Sequence, residues 1–225
     1  MKLYSYIMTH DGGFSPNPFF NRCTLACCKP QIRKTASIGD WIVGIRGKGL
    51  CNSLGIETSS TSEIFGIVYA MRVSDKITFK EFHEKREFKN KIPDRSADKV
   101  LYKCGDNIYQ PLSGTDFKQL PSLHSNKDGT EDLKNKERDL VGKYVLVSDM
   151  PDFWYFGSNP AKIPGNMTHF VKGYPRGTTG HTCKFTDSDI SCFEKYMRKF
   201  SPGIHSAPGH WPNTDLSWQK FKVKK

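Results

Sequence analysis

Four short runs of aliphatic, aromatic and β-branched residues limit what this chain can fold into. They are Lys2 to Thr9, Trp41 to Ile45, Glu63 to Val73 (EIFGIVYAMRV) and Lys143 to Val147 (KYVLV). Turn-forming residues such as Gly12-Gly13 and Gly39-Asp40 separate them, so each is expected as a strand rather than part of a long helix. Phe153 to Phe156 and Phe170 to Tyr174 read as further short strands. The clearest helical stripe is DISCFEKYMRKF, Asp189 to Phe200, with Ile190, Phe193, Tyr196, Met197 and Phe200 on one face. Shorter helices are expected over Gln31 to Ala36, opened by Pro30 with Arg33 and Lys34 outward, and over Thr78 to Phe88. The order predicts an α+β fold with a mostly antiparallel, curled sheet and a few short helices.

At 225 residues the chain is long enough for one well-cored domain, and a single domain over 1–225 is expected. The segments Phe14 to Pro30 and Cys51 to Ser62 read as loops, the second one mobile. A polar, turn-rich stretch near 111–142 reads as a flexible insertion. Residues 201–225 read as an irregular basic tail ending in Lys220, Lys222, Lys224 and Lys225. No run of 18 apolar residues is present, so no membrane partner is expected. The start shows no cleavage-type pattern, and the seven cysteines read as reduced thiols of a cytoplasmic protein.

Several chemistries lack their signatures. There is no GxxxxGK[ST] loop, no GxGxxG opening a helix and no H-x-E…P-C-x-x-C deaminase pattern. Arg46-Gly47-Lys48-Gly49 imitates part of a phosphate loop, but no helix is expected behind it. Cys23, Cys27 and Cys28 could join His10 or His181 around zinc, yet their spacing is awkward and buried thiols are the ordinary reading, so no metal or cofactor is assigned. Cys28 with His10, or Asp11 as an acid/base, could serve catalysis if the fold brought them together. Asp11 and Asp40 equally suit turns.

Aromatics recur beside cations in three places. Asn17-Pro18-Phe19-Phe20 precedes Lys29, Arg33 and Lys34; Trp41 precedes Arg46 and Lys48; and Trp154-Tyr155-Phe156 precedes Arg176 and Gly180-His181. Aromatic faces stack bases and cations hold phosphates. With 34 Lys and Arg against 23 Asp and Glu, a net charge of +11, an anionic partner such as DNA or a nucleotide is expected.

The segments YSYIMTHDGGFSPNPF, CTLACCKPQIRKTASIGDWIVG, CGDNIYQP, FWYFGSNPAKIP and GTTGH resemble the second of the families called nucleotide modification associated domains. More distantly, Lys2 to Val73 is similar to the PUA-like group, including EVE and ASCH domains, which implies a small curled barrel. The first resemblance implies a protein that accompanies systems altering bases in phage or bacterial DNA, with a DNA-modifying enzyme as a candidate partner. It draws attention to Asp11, Asn17, Pro18, Phe19, Lys29, Arg33, Asp40, Trp41, Tyr155, Phe156, Gly157, Gly180 and His181. The expected function is recognition of a nucleotide or modified base. Asn17, Phe19, Asp40, Trp41, Trp154, Tyr155 and Phe156 would hold the base, and Lys29, Arg33, Lys48 and Arg176 the phosphate. The alternative is an enzyme of base modification or excision, a glycosylase or transferase using His10, Asp11 and His181.

Overall fold

The computed structural model describes residues 1–223, apart from the side chain of Ser62; Lys224 and Lys225 of the expected basic tail lie outside the described residues. Among the described residues twelve strands are formed: β1 (Leu3–Met8), β2 (Arg22–Leu25), β3 (Trp41–Arg46), β4 (Gly66–Arg72), β5 (Asp75–Thr78), β6 (Tyr109–Pro111), β7 (Phe117–Gln119), β8 (Tyr144–Asp149), β9 (Phe153–Tyr155), β10 (Ala161–Lys162), β11 (His181–Thr182) and β12 (Gly203–Ile204). Between them lie α1 (Pro30–Thr35), α2 (Lys48–Ser53), α3 (Thr61–Ile64), α4 (Phe79–Glu84), α5 (Val100–Lys103), α6 (Leu133–Leu140) and α7 (Asp187–Met197). The fold is mixed α+β.

The largest sheet runs β11-β1-β3-β4-β9-β12, with β10 also beside β4. A second sheet has the order β2-β8-β5, and β6 pairs with β7. Most pairs are antiparallel, but β1 and β3 are parallel, from Leu3 opposite Trp41 to Met8 opposite Arg46. A parallel pair needs a crossover, which β2 and α1 supply. Asp40 fastens its start: Oδ1 accepts the Lys2 N–H at 2.7 Å and Oδ2 accepts the Ser37 N–H at 2.9 Å. The strand path does not close on itself, so the expected barrel is not formed among the described residues.

Both faces of this sheet are covered, which explains its unbroken apolar strands. Leu3, Trp41, Val43, Trp154 and Phe156 pack against Ile190, Phe193 and Met197 of α7. On the opposite face, Tyr4, Tyr6, Met8, Tyr69 and Tyr155 meet Cys23, Leu25 and Ile32. A third cluster, including Phe79, Phe82, Phe88, Tyr109, Val145 and Val147, packs α4 and β6 against the second sheet. No helix among the described residues is long and apolar enough to cross a membrane.

Several local expectations need correction. A helix, α2, does follow Gly47. Part of the run from Glu63 is helical rather than extended, because α3 precedes β4, and Arg46 Nε donates to the Ile64 carbonyl at 3.1 Å. Gly165–Phe170 forms a 3₁₀ turn where a strand was expected to begin at Phe170. The Phe14 to Pro30 loop contains β2. Within 111–142, β7 and α6 are regular, and Asp139 of α6 is buried.

Candidate functional site

β2 ends at Leu25, and Ala26-Cys27-Cys28-Lys29 carries the chain into α1. Cys28 and Lys29 both adopt the left-handed region, with φ of 58° and 42°. Two successive non-glycine residues in that region persist only where their surroundings hold them. Here the clamp is explicit. The Cys28 N–H donates to Asp139 Oδ1 at 2.7 Å, and Arg33 Nε donates to the Cys28 carbonyl at 2.8 Å. Arg33 Nη1 donates to the Tyr144 carbonyl at 2.8 Å, tying α1 to β8. Arg33 is fully buried rather than outward as expected, its guanidinium spent on backbone carbonyls.

This clamp turns the Cys28 sulfur toward His124, with Sγ and Nε2 3.5 Å apart. The other ring nitrogen, Nδ1, lies 2.7 Å from Asp139 Oδ2, which also accepts the Tyr109 hydroxyl at 2.9 Å. Burial lowers the affinity of His124 for its proton. The hydrogen bonds to Asp139 and Cys28 outweigh that effect and push its pKa up to about 9. Burial opposes ionisation of Asp139, but the His124 contact and the Arg33 charge hold its carboxyl below the ordinary range. A thiol, an imidazole and a carboxylate thus stand in line, the arrangement of an activated nucleophile, its acid/base and an orienting group. His10, the partner expected for Cys28, instead packs against His210, with ring centroids 3.8 Å apart and planes tilted by 31°.

Cys27, His124 and Asp139 also present ligand-type atoms within 4.8 Å of one another. A cation fits poorly there. Both Asp139 oxygens already accept N–H or O–H donors, and Arg33 Nη2 lies 4.0 Å from Oδ1. Burial and the neighbouring Asp139 raise the Cys27 thiol well above its ordinary range, opposing the thiolate a metal needs.

Cys28 and His124 line a cavity of about 250 Å³ with Tyr6, Met8, Phe14 and Leu123. Lys29 lines the same cavity and two others. One, of about 260 Å³, is bordered by Lys48, Arg176 and Gly177 to Gly180. Another, of about 340 Å³, is bordered by Arg138, Gly180 and His181. All three have Lys29 in their linings, a branched set of neighbouring cavities with basic borders. Lys29 Nζ sits 4.2 Å from the centre of the Tyr6 ring, and burial lowers its pKa. Its left-handed backbone, forced by the same clamp that orients Cys28, places it at the junction.

The fold therefore gathers Lys29, Lys48, Arg176, His181 and His10 along the cleft. It places the other expected residues elsewhere. Asn17 is buried and donates to the Gly13 and Cys104 carbonyls, both at 3.0 Å. Phe19 stacks on Trp211. Asp40 staples β1 to β3. Trp41 packs between Trp154 and Phe193, with its indole nitrogen donating to Glu194 at 3.0 Å. Trp154 donates to the Phe200 carbonyl at 2.9 Å, and Phe156 stacks on His205. Buried Asp11 accepts from the Tyr155 hydroxyl and from the Gly209 N–H, anchoring the C-terminal segment. Trp41, Trp154 and Phe156 lie in the covered core of the main sheet, and Asp11 and Asp40 accept hydrogen bonds within the fold. His124 and Asp139 escaped the sequence reading. They sit in a polar stretch whose charges look solvated, and no spacing links them to Cys28.

The sequence profile described as nucleotide modification associated domain 2 matches residues 1–215. No curated protein and no solved structure matches the chain.

Proposed function

The chain belongs to the nucleotide modification associated domain 2 family, and on that premise we propose that the branched cleft around Lys29 binds a nucleotide, free or within a DNA strand. The phosphate lies against Lys29, Lys48 and Arg176, and the base enters the cavity bordered by Tyr6 and Phe14. The observation that carries this reading is one cavity bordered by Lys29, Lys48 and Arg176, cations distant in sequence. Lys29 also borders the cavity that holds Tyr6 and Phe14. Such a site sets cations beside a cavity with a partly apolar lining, which suits a base attached to an anion. The net charge of +11 favours approach of a polyanion.

Fluorescence polarisation with a labelled single-stranded oligonucleotide, plain or carrying a modified base, tests the reading. Saturable binding should weaken at least about tenfold in a Lys29→Ala/Arg176→Ala variant, and should fall with added salt as phosphate contacts release counterions. Binding that is flat in salt, or unchanged in the double variant, would overturn it.

A further inference from the structure

We propose that the Cys28–His124–Asp139 line is a catalytic centre for acyl transfer, in which Cys28 forms a thioester with a small acyl donor. Cys28 is the nucleophile, His124 the acid/base and Asp139 a positioning residue. Three facts carry this. The Cys28 sulfur and His124 Nε2 face one another at 3.5 Å, and Asp139 holds the far ring nitrogen at 2.7 Å. Cys28 and His124 both line one cavity of about 250 Å³, which suits a short acyl group. Finally, hydrogen bonds from Arg33 and to Asp139 hold both backbone polar groups of Cys28, so the sulfur direction is built in rather than adopted.

The chemistry balances without an oxidant or metal. The thiolate attacks the carbonyl carbon of an amide, ester or thioester. The bond from that carbon to its leaving nitrogen, oxygen or sulfur breaks as His124 Nε2–H passes its proton to the leaving group. An acyl-Cys28 thioester and neutral His124 remain. A second nucleophile, an amino or hydroxyl group of the bound nucleotide, then gives its proton to His124 and attacks the thioester carbonyl, and the C–S bond breaks to restore the thiolate and imidazolium. This acceptor step rests on the nucleotide reading above; acylation of Cys28 does not. The hydrogen-bonded Asp139, together with the position of Arg33, favours this use of the cluster over a metal site.

The test uses the full chain and p-nitrophenyl acetate. Expected are a burst of about one p-nitrophenolate per chain and one acetyl group on the peptide carrying Cys28. Cys28→Ser abolishes both, and His124→Ala slows the burst by about a hundredfold, the usual scale of acid–base assistance. Acetylation confined to lysines, or a His124→Ala burst at the wild-type rate, overturns the proposal, as does one tightly bound zinc per purified chain. Should His124→Ala fail to fold, His124→Gln decides in its place: a burst at the wild-type rate in that folded variant overturns the pairing. Nucleotide added to the acetylated protein should speed loss of the acetyl group. Acetylation without that acceleration overturns the acceptor assignment alone and leaves the thiol chemistry standing.

Discussion

Lys91 carries an ammonium group into the interior, 1 % exposed, beneath the Asn17 to Arg22 loop. Its Nζ reaches the carbonyls of Asn17 at 3.0 Å, Phe19 at 3.0 Å and Arg22 at 3.1 Å, and Asn17 Oδ1 at 2.7 Å. Burial pushes its pKa down to about 8, against the pull of Asp106. Replacing it with methionine leaves four acceptors and a buried carboxyl without their cation, so Lys91→Met should lose about 3 kcal/mol in denaturant unfolding. His124 allows a pH prediction. Its folded value of about 9 exceeds the ordinary 6.5, so its contribution is full below pH 6.5 and is lost as pH rises through 9. The melting-temperature gap between wild type and His124→Ala should therefore be widest near pH 6 and shrink by pH 10. Neither residue was legible in the sequence. Lys91 lies among the charges of KREFKNK, and His124 follows a proline-serine turn, so both read as solvated. Asn17 did stand out, but as a reader of bases; what singles it out is its place under the Lys91 ammonium.

The strands of the main sheet were largely legible, because a sheet covered on both faces needs continuous apolar runs and Leu3–Met8, Trp41–Arg46 and Gly66–Arg72 supply them. The parallel pairing of β1 with β3 was not. Apolar pattern reports burial, whereas strand direction depends on the intervening crossover and on the Asp40 staple. Helix α7 was legible from its stripe, and its capping box at Thr186 gives it a defined start. Thr186→Ala should cost about 1 kcal/mol in a thermal melt and leave Cys28 reactivity unchanged. The end of α6 behaves differently. A Cβ at Gly142 would come within 2.4 Å of Arg33 Nη1, which has no room to retreat. Gly142→Ala is expected to destabilise the fold by about 1–3 kcal/mol and to slow alkylation of Cys28, since Arg33 holds the Cys28 carbonyl. Parallel melts and peptide-level alkylation rates of the two variants check this contrast.

At the scale of the molecule, the charge excess and the family likeness both pointed toward a nucleotide partner, but neither located the site. The aromatic residues that drew attention, Trp41, Trp154 and Phe156, were the core of a covered sheet. Sequence reasoning treats an aromatic beside a cation alike whether its face is packed or open; only the path of the chain separates the two. The cleft instead collects residues from loops far apart in sequence, Cys28-Lys29, Lys48, His124 and Gly177 to Gly180, around one strained junction. Nucleotide binding where Cys28 and Lys29 meet is tested most directly by protection of Cys28. Iodoacetamide labelling would be followed peptide by peptide with and without a saturating single-stranded oligonucleotide or 2′-deoxynucleoside monophosphates. Cys192, which is half-buried on α7, serves as the internal control. Cys28 labelling should slow at least about fivefold with nucleotide while Cys192 labelling holds its rate, as burial of the thiol beneath a bound ligand requires. Equal labelling of Cys28 in the presence and absence of every nucleotide would contradict it.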